Sequence, residues 1–110
     1  MKLYIAGPMT GHEDWNYPAF NDVQRRLEAA GYTVLNPARQ PDGLTYDEYL
    51  KRALADVFEC DGIALLNGWW DSPGAKAEVA LADALKKDAS MYGVWLIINL
   101  SHRGQNAVTR

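Results

Sequence analysis

Two short stretches of this chain carry residue types with the chemistry of a small-ligand site. The first is "LNGWWDSPGAKAE", Leu66 to Glu78. An apolar run stops at glycine, two tryptophans follow, and a helix-like segment opens at Ser72-Pro73. Serine followed by proline reads as an N-cap with proline in the first turn. Such a start presents free N–H groups and the positive end of the helix dipole, which suits a phosphate or a carboxylate. It serves equally well as a plain cap that needs no ligand. Glu78 stands six residues further on, about a turn and a half into the helix. Gly74, Ala75 and Ala82 leave room around its carboxylate, and Lys76, two positions away, faces elsewhere. Spacing alone leaves Glu78 two readings: a solvated helix glutamate, or a carboxylate at work in a pocket.

The second stretch is Tyr4 with the "GPMTGHED" that follows it, where Gly7, Pro8 and Met9 leave a strand. Glycine there lets backbone amides approach a ligand closely. The spacing matches neither GxGxxG nor a P-loop, because no Gly-Lys-Ser/Thr follows. The loop is thus either a phosphate contact or an ordinary strand-to-helix turn. Trp15 to Phe20 reads as a cover for a flat ligand or as core anchoring. Trp69 follows a strand end and either stacks on a base or packs under its loop. His12 is a loop histidine that either touches phosphate or is simply solvated, and Asn36 and Asn67 end strands as turn formers. No His/Cys/Asp set has metal spacing, and nothing in the pattern asks for a cofactor.

These groups need a scaffold, and the hydrophobic pattern supplies one. Residues 2–6 read as a buried strand ending at Gly-Pro, and 32–38, 62–67 and 93–100 as three more. The run 62–67 hardly alternates, as expected of a strand covered on both faces. "AFNDVQRRLEAAG" repeats Phe20, Val23, Leu27 and Ala30 at helical spacing and stops at Gly31. Thr45-Tyr46-Asp47-Glu48 is a capping box that opens a helix to about Cys60, with Leu50, Leu54, Val57 and Phe58 inward. A third helix runs from Ser72 to about Lys87, with Ala75, Val79, Ala82 and Leu85 packing. Four strands alternating with three helices predict right-handed βαβ units, hence one three-layer α/β/α domain with a parallel, flavodoxin- or Rossmann-like sheet over residues 1–100. The polar stretch 101–110, which contains His102, reads as a frayed tail. Ligands in such sheets bind beyond the carboxyl ends of the strands, where both stretches above would lie.

Composition narrows the partners. The chain has 110 residues, net charge −3 and 48% hydrophobic residues. That is enough for one self-sufficient core, and too acidic a balance to track a nucleic-acid backbone. The single Cys60 excludes an internal disulfide framework and points to a reducing cytoplasm. Gly7 and Pro8 break the first apolar run too early for a leader or a membrane span.

Taken in order, "KLYIAGPMTG", "NYPAFN", "VLNPA", "CDGIALLNGW" and "SPGAKAEVALA" resemble the nucleoside 2-deoxyribosyltransferase-like superfamily, and within it a small bacterial and phage branch. The resemblance implies a flavodoxin-like sheet in strand order 2-1-3-4. It implies that Glu78 is a nucleophile that attacks the anomeric carbon of a nucleoside or nucleotide, as in a retaining glycosidase. It implies that Tyr4 lies near the sugar and the glutamate, and that Gly7 belongs to a loop against the ligand. Ser72 stands where the base transferases have an aspartate, six residues before the nucleophile, so the resemblance implies a nucleotide rather than a nucleoside. The superfamily's second-helix aspartate falls on Ala53, and Asp56, one turn further along, is the nearest carboxylate to stand in as acid. Oligomerisation is implied by resemblance only. Two functions are therefore expected: cleavage of an N-glycosidic bond, by hydrolysis or transfer, with Glu78, Tyr4 and Asp56 catalytic and Gly7, Pro8, Met9, Ser72, Gly74 and Trp69 binding; or a module that binds a nucleotide or nucleotide-sugar without turnover.

Overall fold

The computed structural model describes residues 1–98. The predicted tail 101–110 lies outside them. Four strands, β1 (Lys2–Ala6), β2 (Thr33–Leu35), β3 (Gly62–Leu65) and β4 (Asp88–Met91), form one parallel sheet in the order β2-β1-β3-β4. The fold class and strand order are those expected. The central pair sets the register, with Tyr4 beside Ile63 and Ala6 beside Leu65.

Side chains alternate across the sheet, and each face carries its own core. Tyr4, Ala6, Ile63 and Leu65 pack against Ala53, Val57, Ala75 and Ala82 of α2 (Tyr46–Glu59) and α3 (Pro73–Ala84). Leu3, Ile5, Ala64 and Leu66 pack on the opposite face against Phe20, Val23 and Leu27 of α1 (Tyr17–Ala29) and against Trp95. Phe20 therefore anchors the core, while Trp15 is exposed. Among the described residues no helix is long and apolar enough to cross a membrane.

The fourth strand is not where the hydrophobic run placed it. β4 is "DASM", paired residue for residue with β3 from Gly62–Asp88 to Leu65–Met91. Residues 92–98 are helical, which takes in 93–98 of the expected strand 93–100, and 99–100 lie outside the described residues. That helical segment completes the α1 face. Trp95 is 4% exposed and its indole N–H donates to the Ile63 carbonyl at 2.8 Å. Its ring lies where a Cβ on Gly62 would come within 2.8 Å, so the strand needs glycine there. Val94 and Ile97 of the same run point to solvent. The run is apolar at every period, so periodicity cannot tell strand from helix in it. The position of β4 follows from α3 ending at Ala84, sooner than Lys87, with Lys86 in the left-handed region (φ 59°).

Local signals elsewhere hold. Thr45 and Glu48 close the capping box reciprocally. Asn36 accepts from the Ala38 amide as a turn former. Phe58, expected inward, is 60% exposed, and Ala53 with Val57 takes the inward face instead.

Candidate active site

α3 buries Ala75, Glu78 and Ala82. These positions share one helical face, so Glu78 occupies a core-facing place between two alanines, while Val79 packs partly buried against the same core, as expected. It is 6% exposed and is the one charged residue buried among those described. A buried carboxylate needs a partner, and Tyr4 supplies it: its hydroxyl donates to Glu78 Oε2. Tyr4 is a central β1 residue pointing to the same face, itself fully buried. No buried side-chain oxygen in the described structure lacks a partner. Oε1, which has no hydrogen bond, is therefore the oxygen that reaches the cleft.

Burial pushes the Glu78 carboxyl up to about 7; the Tyr4 hydrogen bond works against that rise and the charge of Asp56 adds to it. Burial first, then the Glu78 charge, holds the Tyr4 hydroxyl well above its ordinary value, so it remains a donor.

Oε1 opens into a cleft of about 390 Å³ at the carboxyl edge of the sheet, a size suited to a small ligand. Gly7, Pro8 and Met9 line one side, and Ser72, Gly74 and Glu78 another. Gly7 is close-packed as well: a Cβ on it would come within 2.7 Å of Leu66 Cβ. Ser72 caps α3, its Oγ accepting from the Ala75 amide at 3.2 Å. Pro73 has no amide hydrogen, so the Gly74 N–H is the one left for a ligand at this helix start. The structure thus brings together Glu78, Tyr4, Gly7, Pro8, Met9, Ser72 and Gly74.

Two expected site residues lie elsewhere. Trp69 packs partly buried against the α2/α3 core and edge-on to Trp70 at 6.4 Å, and it does not line the cleft. Asp56 does not line it either. In a parallel βαβ unit the helix runs back from the carboxyl edge, so each later turn of α2 is further from the cleft. Asp56 stands seven residues after Tyr49, roughly 10 Å along the axis. Burial and the Glu59 charge raise its carboxyl, and its influence on Glu78 is through charge.

Sequence reasoning missed Tyr46 and Tyr49, which face the cleft from the first two turns of α2, and Asp71 and Thr10. The Tyr49 hydroxyl donates to the Met9 thioether at 3.0 Å. The capping box at Thr45 was the available signal: it fixes the start of α2, and helical spacing then puts 46 and 49 on one side. His12 lines the cleft too, whereas no lysine or arginine among the described residues does.

This sheet order defines a parallel α/β protein, and its fold matches that of a deoxyribosyltransferase. The chain is similar in structure to a 2-desoxiribosyltransferase from Leishmania mexicana, with a TM-score of 0.65 and 22% identity over 82% of this chain. It spans 62% of that protein. A family model described as "Domain of unknown function (DUF4406)" matches residues 1–91, and the chain belongs to that family. No curated protein matches.

Proposed function

We propose that the protein cleaves the N-glycosidic bond of a nucleoside or nucleotide, with Glu78 as nucleophile. The observation that carries this reading is the buried carboxylate with one oxygen held by Tyr4 and the other open to the cleft. A carboxylate so placed is desolvated and oriented, which raises its nucleophilicity. Its negative charge also stabilises the oxocarbenium-like transition state of glycoside cleavage. The likeness to the Leishmania mexicana transferase supports the same reading.

The charges in the cleft bear on the substrate. Ser72 suggests a phosphate, but Asp71 and Glu78 both line the cleft and, among the described residues, His12 is its one basic side chain. A dianionic phosphate would meet two carboxylates and little compensation, so the electrostatics favour an uncharged nucleoside over its 5′-monophosphate. A homo-oligomer and a soluble cytoplasmic setting fit this reading.

The test is release of free base from a panel of deoxy- and ribonucleosides and their 5′-monophosphates, with Glu78→Ala alongside. Base released by the parent and lost in the variant supports the reading. Base released equally by both removes Glu78 from the chemistry. The second reading, a binding module without turnover, is favoured by one observation: α2 presents no carboxylate to the cleft, since Ala53 is a core residue and Asp56 lies beyond it. Nucleoside binding by a parent that releases no base would establish that alternative.

A further inference from the structure

We propose that Tyr49 is the hydrogen-bond donor that the cleft offers to the heterocyclic base of a bound nucleoside. The inference rests on the N-glycosidic reading above. It begins from placement: Tyr49 is on α2, Glu78 is on α3, and both line the same cleft. A nucleophile on one helix needs the leaving group to depart toward a different element, and α2 is the helix packed beside α3 on this face of the sheet.

The present partner of the hydroxyl is the second argument. It donates to Met9 Sδ at 3.0 Å, and a thioether is a weak acceptor. A ring nitrogen or carbonyl oxygen makes the stronger bond, so a base entering the cleft draws the donor away at small cost. The other side-chain donors are worse placed. Thr10, His12 and Tyr46 are exposed, where water competes for them. Ser72 accepts from the Ala75 amide and keeps its own hydroxyl hydrogen, but it stands at the start of the helix that carries Glu78, on the nucleophile's side of the cleft. Tyr49 is part-buried, where a hydrogen bond gains strength from the lower dielectric. Burial, then the nearby Glu78 charge, keeps its phenol protonated well past neutrality, so its O–H remains available to donate.

The step balances without a co-reactant other than water. Glu78 Oε1 forms a bond to the anomeric carbon as the C–N bond breaks. The electron pair passes to the base, where the Tyr49 O–H bonds the ring atom that gains charge, and solvent supplies the proton. Water then hydrolyses the glycosyl ester; its hydroxyl goes to the anomeric carbon and its proton returns to solvent.

The experiment compares the parent with Tyr49→Phe on 2′-deoxyguanosine and on 7-methyl-2′-deoxyguanosine, with calorimetric affinities for both. The methylated base leaves as a neutral species and needs no donor. Tyr49→Phe is expected to lower kcat on 2′-deoxyguanosine by about 10²-fold, the scale of losing one donor to developing charge, and to lower it less than about threefold on the methylated substrate. An equal loss on both overturns the proposal in favour of simple positioning, and no loss on either overturns it outright. A parent without turnover whose affinity for 2′-deoxyguanosine falls at least tenfold in Tyr49→Phe keeps the donor and overturns the enzymatic reading alone. Equal affinities in that case overturn the donor, as does a parent that neither cleaves nor binds either compound.

Discussion

Tyr4 and Glu78 are 74 positions apart in the chain and hydrogen-bonded to each other inside the same core. The bond joins the central strand to the helix that follows its neighbour, so the sheet register and the α3 packing together fix the carboxylate. Its consequences reach both stability and chemistry.

Glu78→Gln should stabilise the protein at pH 8 and leave it nearly unchanged at pH 4. The folded carboxyl ionises at about 7, against 4.5 as its ordinary value. Between those values the folded state binds a proton that the unfolded state has lost, so stability falls as pH rises and the full penalty is present above about 7. At 1.36 kcal/mol per unit the penalty is on the order of 3 kcal/mol. Thermal melts of both proteins across this range check it; parallel curves would mean that Glu78 is not the titrating group.

Tyr4→Phe removes the donor that holds the Glu78 carboxyl down. The acid limb of kcat/KM should therefore move to higher pH, and the loss of stability should be larger at pH 8 than at pH 5. A hydrogen bond to a charged group contributes roughly 1.5–3 kcal/mol. A pH–rate profile and two melts decide it, and an unmoved acid limb would separate Tyr4 from the carboxylate's titration.

Gly62→Ala should destabilise by about 1–3 kcal/mol through overpacking, because the new methyl meets the Trp95 ring at 2.8 Å and the Asp88 carbonyl at 3.2 Å. Combined with Trp95→Leu, the two losses should be less than additive, as expected of residues in contact. Denaturant titration of the double-mutant cycle provides the test. Additive losses would place the ring elsewhere.

Ser72→Ala should cost about 1 kcal/mol through the lost cap of α3, and Ser72→Asp should retain most of that stability. If a 5′-phosphate were the preferred ligand, Ser72→Asp would weaken a nucleoside monophosphate far more than the nucleoside. Equal effects on both fit the cleft's acidic lining. Melting temperatures and calorimetric titrations separate the two contributions.

Much of the scaffold was legible because it is written locally. Gly7-Pro8, Gly31 and Asn36-Pro37 end elements for backbone reasons that hold in any context. Thr45-Glu48 and Ser72-Pro73 start helices by satisfying amides within one turn. Phe20, Val23 and Leu27 spell a buried face by spacing alone. Those signals define a parallel α/β protein whose cleft must lie at the carboxyl edge of its sheet.

The tertiary structure decided what depends on partners distant in sequence. "GVWLIINL" fits strand and helix equally, and only the pairing of Asp88–Met91 with β3 left its described part, with Trp95 and Leu96, to cover the α1 face. Spacing alone left Glu78 ambiguous between surface and site; the Tyr4 hydroxyl and the position between Ala75 and Ala82 bury it. Asp56 and Tyr49 stand on the same helix, but its direction relative to the sheet carries the first away from the cleft and brings the second to it. Periodicity gives the face a residue occupies; only packing gives its depth and the group it meets there.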